Sequence, residues 1–426
     1  MKTLLTALAA AAIAASAGVA QTLVVTNGRV VTNTTTGQIE TGTVVIRDGS
    51  IVDVSPGASF EVEADDATVI DAEGGWITPG LFHPHTELGL IEVALEGSTR
   101  DDAARESHFT AALDVADGFN PAVNHIDEAR AEGVTRFAIH PATGSAIIAG
   151  RGALADSTGE PGSLFAARRF MLVDLSDSGA STAGGARTAA WAFLRAAIED
   201  ARFYPGRFMA HHEGDAIDRY DAAAMAPVVR GEIPLVMILD RASDIRRALE
   251  FNAAYPAIRI IIAGGAEAHL LADELAAADI PLIYDPMRNL PDSFDTLAST
   301  NEGAAILHEA GVQVAYTTMG SDLYWNPRLL PQHAGIAVAH GAQWSDAFRA
   351  ITLAPAQIFG VGDRYGAIAP GYAGDVVVWT GDPLEVMSAP SHVIIDGARR
   401  SLETRQTRLR DRYAEVVRDG AAAYRH

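Results

Sequence analysis

Pro234-Leu235-Val236-Met237-Ile238-Leu239, Arg259-Ile260-Ile261-Ile262 and Ile280-Pro281-Leu282-Ile283-Tyr284 are three short apolar runs. The Ala-rich stretches Ala242–Ala253 and Ala266–Ala277 separate them. A run that is apolar at every position, not at alternate ones, describes a strand buried on both faces. An amphipathic stretch between two such strands describes a covering helix. Residues 234–284 therefore read as strand, helix, strand, helix, strand in a parallel sheet.

The same alternation extends in both directions. Val134–Ile139 and Arg169–Leu175 lie upstream, followed by the helical Thr188–Arg202, and Gly303–Ala310 and Val312–Tyr316 lie downstream. The region from Gly80 to Phe359 is close to the ~250 residues of a (β/α)₈ barrel. Period alone does not report closure, so an open doubly wound sheet stays open as an alternative. No G-x-G-x-x-G element follows the first strand, which weighs against a dinucleotide site.

Both ends are richer in strands. Thr22–Thr32 and Gly42–Val54 carry Val, Ile and Thr, with turns expected at Asn27-Gly28 and Asp48-Gly49, and Gly374–Trp379 and His392–Gly397 return to the same character. The expected organisation is a small β-sandwich built from both chain ends, residues 21–79 and 361–400, around a barrel at 80–360. A C-terminal helix follows at 401–426. Residues 1–20 read as a secretory signal. Lys2 is the positive region, Leu4 to Ala15 the apolar region, and Gly18-Val19-Ala20 the cleavage site, with a buried N-terminal helix as the alternative. Periplasmic localisation is the expectation.

The chain of 426 residues has 48% hydrophobic residues, a formal net charge of −22 and no cysteine. That balance describes a large globular core. It argues against nucleic acid or anionic lipid as partners, and it excludes thiolate chemistry. No run after residue 20 approaches the ~20 apolar residues of a membrane span, so no membrane insertion is expected.

Candidate chemistry begins in Trp76-Ile77-Thr78-Pro79-Gly80-Leu81-Phe82-His83-Pro84-His85-Thr86-Glu87-Leu88-Gly89. Alternate strand residues share a face, so His83, His85 and Glu87 are candidate ligands for zinc or manganese. The plainer reading is a hydrogen-bonded polar cluster at a strand end.

With Asp71-Ala72-Glu73-Gly74, Thr78-Pro79-Gly80-Leu81 and the histidine pair, the chain resembles the amidohydrolase superfamily, most closely its imidazolonepropionase-like branch. Arg241-Ala242-Ser243-Asp244-Ile245 and Ala350-Ile351-Thr352-Leu353-Ala354-Pro355 extend the likeness. So does Gly366–Trp379, which resembles the return from barrel to small sheet. The resemblance implies a (β/α)₈ barrel and one or two divalent metals that activate water against a C–N bond. It also implies a His-x-His pair on strand one, histidines after strands five and six, and an aspartate after strand eight.

This sequence departs from that ligand set. His85 falls at the first histidine of the pair, but Glu87 stands at the second. Leu239-Asp240 and Ala263-Gly264-Gly265 lack the strand-five and strand-six histidines, and Thr317-Thr318-Met319 lacks the aspartate. A rebuilt site would draw on His83, His85 and Glu87 as ligands, with Asp240 and Asp322 as catalytic carboxylates and His140 nearby. His211-His212-Glu213 and His269 read as surface or helix-face residues. Glu267 and Asp273 are spaced off a shared helical face, and Gly144-Ser145-Ala146 is not a nucleophile elbow.

Three readings follow. One is a metal-assisted hydrolase of cyclic amides, imides or dipeptide-like substrates. Another is a non-catalytic binding barrel, or a partner subunit of a paralogous amidohydrolase. The third is metal-free hydrolysis with Glu87, Asp240 or Asp322 as general base. A small-molecule substrate or ligand is expected in each, and a homo-oligomer is compatible with all of them.

Overall fold

The computed structural model describes residues 22–58, 67–209, 214–319 and 327–418. The signal stretch 1–20, His211-His212-Glu213 and Asp322 lie outside the described residues. Among the described residues, no helix is long and apolar enough to cross a membrane.

The chain opens with β1 (Thr22–Val31), β2 (Gln38–Arg47), β3 (Ser50–Pro56), β4 (Thr68–Asp71) and β5 (Trp76–Pro79). Asp48 and Gly49 both have positive φ, 49° and 80°, and turn the β2–β3 hairpin as expected. Asn27-Gly28 does not form the expected turn. It is a bulge inside β1, with Asn27 at φ 60° and the register to β2 shifting between Val25 and Gly28. The bulge has a use. Residues before it pair in parallel with β4, and Arg29 and Val30 beyond it pair with β5.

The barrel follows as β6 (Leu81–Thr86), β7 (Val134–Ile139), β8 (Ile148–Asp156), β9 (Leu164–Asp174), β10 (Leu235–Leu239), β11 (Ile260–Gly264), β12 (Leu282–Tyr284) and β13 (Val314–Tyr316). These eight strands pair in chain order. Their alternate residues face two cores. Val236, Ile261, Ala263, Ile283 and Ala315 pack inside with Phe82 and Phe170. Leu235, Met237, Leu239, Ile260 and Ile262 pack outward under the helices. Burial on both faces is why these strands read as unbroken apolar runs.

One strand departs from the expected alternation. β8 runs antiparallel to both β7 and β9, so the third strand enters as a hairpin and not through a helix. Its Gly152 is required by packing, because a Cβ there would fall 2.0 Å from the Phe170 ring.

No ladder joins β13 to β6, but side chains bridge the seam. Thr317 Oγ1 donates to the His85 carbonyl at 3.2 Å, and His83 Nε2 lies 3.0 Å from Thr318 Oγ1. The sheet is thereby nearly closed.

The chain then returns as β14 (Val376–Trp379), β15 (Pro390–Ile395) and β16 (Ala398–Arg400). Hydrogen bonding joins these and β1–β5 into one eight-stranded sheet, ordered β16-β15-β14-β5-β1-β2-β3 with β4 on β1. Leu23, Val25, Val44, Ile46, Val376, Val378 and Ile394 form its core. A helix over Arg405–Arg418 ends the described chain.

Candidate active site at the barrel mouth

Parallel strands deliver their C-terminal ends to one rim. At or just past five of these ends stand His85 on β6, His140 after β7, Asp174 on β9, Asp240 after β10 and Asp285 after β12. A cavity of about 380 Å³ opens there, lined by His85, Glu87, His140, Asp174, Asp240 and Arg288.

Of His83, His85 and Glu87, which simple alternation puts on one face, only His85 and Glu87 line the cavity. Pro84 has no N–H to give the ladder, and the β6–β7 register slips between His83 and Thr86. His83 turns to the β13 seam, with one ring nitrogen near Thr318 and the other 3.4 Å from the His85 amide. His85 and Glu87 reach the cavity.

The His85 ring stacks on that of His140, with centroids 3.6 Å apart and planes at 16°. All three imidazoles are held neutral. Burial comes first in each case, lowering His83 to about 3 and His140 to about 4, and His85 well below its ordinary value. Glu87 moves the other way. Burial and then the Asp102 carboxylate push it up to about 7, against Arg100 and Arg105.

On the opposite wall, Arg288 Nη1 donates to both oxygens of Asp240 at 2.9 and 3.0 Å. Burial raises the Asp240 carboxyl, and Arg288 offsets part of that. Asp174 accepts from Ser176 and Thr143.

Asp174, Asp285, Arg288 and His333 were not singled out from the sequence. Asp285 is buried, accepts from the Met319 amide at 2.7 Å, and lies 2.7 Å from His333 Nδ1. Asp174 and Asp285 each stand as the first acidic residue at the end of an apolar run, a position that Asp240 shares and that sequence could have shown. Of the residues set aside, Glu267 accepts from the Ala242 and Ala298 amides, a structural role, and His269 sits on a 3₁₀ turn apart from the cavity.

Residues 76–400 match the amidohydrolase family. The chain belongs to the amidohydrolase family. Within it, the chain is imidazolonepropionase-like. It is 29% identical over 388 residues to an imidazolonepropionase of Acidiphilium cryptum, across 83% of this chain and 90% of the relative. It is 24% identical over 395 residues to amidohydrolase tasK of Hapsidospora irregularis, across 84% of this chain but 39% of that relative. The chain thus spans well under half the length of that protein. An amidohydrolase structure from Thermotoga maritima shares the fold with a TM-score of 0.78 at 24% identity, covering 88% of this chain and 99% of that one.

Amidohydrolases usually bind divalent metals, and the donors here can be tested against that. Among the described residues, no group of three His, Asp or Glu is arranged to hold a metal ion. The stacking explains part of this. A metal lies in the plane of each imidazole that binds it, about 2.0–2.1 Å from the nitrogen. Planes 3.6 Å apart and inclined at 16° meet only on the order of 10 Å away, so His85 and His140 cannot converge on one ion. Both nitrogens of His83 already face protein groups. The described donors do not fit the family's metal centre.

Proposed function

We propose that this amidohydrolase cleaves a C–N bond in a small polar substrate held at the barrel mouth, on a site that has lost the family's metal arrangement. The observation that carries the reading is the single cavity around which successive strand ends place His85, Glu87, His140, Asp174, Asp240 and Arg288. The imidazolonepropionase relative supports a cyclic amide or imide, with dipeptide-like amides as the neighbouring class.

Hydrolysis needs a proton taken from water and a proton given to the departing nitrogen. Glu87, buried beside the cavity with its pKa near 7, is suited to both transfers. Neutral His85 and His140 supply hydrogen bonds without adding charge. Arg288, tied to Asp240, offers a fixed cation beside the reacting carbonyl. Asp322 keeps its place as a second candidate carboxylate, and export to the periplasm, the 80–360 barrel boundary and the reading of the terminal sheet as a small β-sandwich belong to the same proposal.

A second reading is favoured by the lack, among the described residues, of a three-donor group for a metal. In it the barrel binds a ligand without turning it over, as a homo-oligomer or as the partner of an active paralogue.

The test is hydrolysis of cyclic amides, imides and dipeptides by the purified chain, with and without added zinc or manganese. Turnover that Glu87→Gln abolishes and metal leaves unchanged supports the first reading. Saturable ligand binding without turnover would transfer the case to the second.

A further inference from the structure

Outside the mouth, where the helices after β9 and β10 begin, lies a separate depression of about 450 Å³. Arg187, Arg195, Arg241 and Arg247 line it with Trp191. In a chain with 54 acidic and 32 basic residues, four arginines gather around one hollow, with Asp244 as the one carboxylate in its lining.

Their partners do not use all of that charge. Arg187 is committed, with Nε 2.8 Å from Asp244 and Nη2 2.5 Å from Asp295. Arg241 is partly exposed; its Nε lies 3.5 Å from Asp244 without the alignment to donate and has no hydrogen-bond acceptor among the described residues. Arg195 has no carboxylate partner among the described residues and lies over the Trp191 ring at 5.7 Å. Arg247 pairs with Glu250, both exposed, which leaves its charge largely available.

Two further observations point to an absent acceptor. The Trp191 ring lines the hollow and is 5% exposed, yet its Nε1–H has no hydrogen-bond acceptor among the described residues. Buried donors are ordinarily satisfied. The helices Arg187–Arg202 and Ala242–Ala254 also start at this hollow, and neither N-cap, Ala186 or Arg241, supplies a capping side chain. The start of Arg187–Arg202 and the hydroxyls of Thr188 and Ser243 face the same space as the guanidinium groups, while the Ala242 amide at the start of the second helix is already taken by the Glu267 carboxylate.

We propose that this hollow binds the phosphate group of a small molecule, at a site separate from the barrel mouth. The donors approach from several directions, from the start of Arg187–Arg202, the Trp191 indole and arginines on both helices. That arrangement suits a tetrahedral oxyanion better than the single planar fork a carboxylate prefers. Phosphate binding here would not depend on turnover at the mouth.

Isothermal titration of the full chain with inorganic phosphate at constant ionic strength tests it. The expected result is saturable binding that Arg195→Ala and Arg241→Ala each weaken at least about tenfold, as removing a charge-assisted donor should. Arg230→Ala, an exposed arginine paired with Glu232 elsewhere, leaves it unchanged. Arg195→Ala removes no ion pair, so its folding is not in question. Equal affinity in all three variants, tighter binding of succinate than of phosphate, or no saturable phosphate binding in the millimolar range would each overturn the proposal.

Discussion

Arg136 on β7 grips Asp375 at the head of β14, with Nε 2.6 Å from one carboxylate oxygen and Nη2 3.0 Å from the other. One barrel strand is thereby tied to the terminal sheet. Asp396 at 2.8 Å and Asp156 at 3.6 Å add two more carboxylates to the same guanidinium, and the Phe165 and Tyr365 rings flank it. Arg136 is 2% exposed. Arg136→Ala should cost about 3–5 kcal/mol, because it strands buried carboxylates without their cation. Urea unfolding reads this directly. Arg136→Lys should recover only part of it, since an ammonium cannot reproduce the two-point contact. A full recovery would mean that charge alone, not fork geometry, matters here.

Glu87 sets a pH dependence of stability whose sign follows from its raised pKa. In the unfolded chain the carboxyl ionises near 4.5, and in the folded chain near 7. Its contribution is therefore fully present below pH 4.5 and is lost as pH rises to 7. The shift corresponds to about 3 kcal/mol at 1.36 kcal/mol per unit. Glu87→Gln should be more stable than wild type at pH 8 by an amount of that order, and the advantage should vanish by pH 4.5. A difference that stays constant across this range would show that Glu87 is not held protonated.

The three depressed imidazoles work in the opposite sense. They bind protons near 6.5 when unfolded but only at about 3 to 4 when folded, for His83 and His140. Their stability is present above pH 6.5 and lost as pH falls toward 4. Three imidazoles outweigh one carboxyl, so the wild-type urea midpoint should fall on acidification from pH 7 to 4.5. Glu87→Gln, lacking the opposing proton, should fall more steeply. A midpoint independent of pH would contradict the burial of these rings.

Much of the barrel was legible because burial on both faces leaves unbroken apolar runs such as Leu235–Leu239. β8 was not, because its Gly150 and Gly152 answer to neighbours such as Phe170 and erase the run. The slip at Pro84 depends on a ladder partner, so spacing alone cannot tell that His85 lines the cavity while His83 turns to the β13 seam. Asp240 and Glu87 could be picked out by position. The Asp285–His333 pair could not, since its members lie 48 residues apart and meet only when the helix carrying His333, Leu330–Ala339, packs against β13.

The His85–His140 stack gives a prediction about metal. Protein purified without chelators should carry well under one equivalent of zinc or manganese by elemental analysis. His85→Ala should leave that content unchanged while lowering kcat/KM for a hydrolysed amide at least about a hundredfold, the scale of losing a group at the reacting atoms. Loss of one bound equivalent in His85→Ala would instead make His85 a ligand and defeat the stacking argument.

Arg288 and Asp240 allow a test confined to the cavity wall. Arg288→Ala leaves a buried carboxylate without its cation, which raises Asp240 further above its already elevated position. The carboxyl can escape the penalty by taking a proton. The destabilisation should therefore be about 3 kcal/mol at pH 8 and shrink on acidification, as the raised group becomes protonated in the folded state too. Asp240→Asn in the same background should restore most of the loss at pH 8. If Arg288→Ala is equally damaging at pH 5 and pH 8, the arginine stabilises the wall by packing and not by charge.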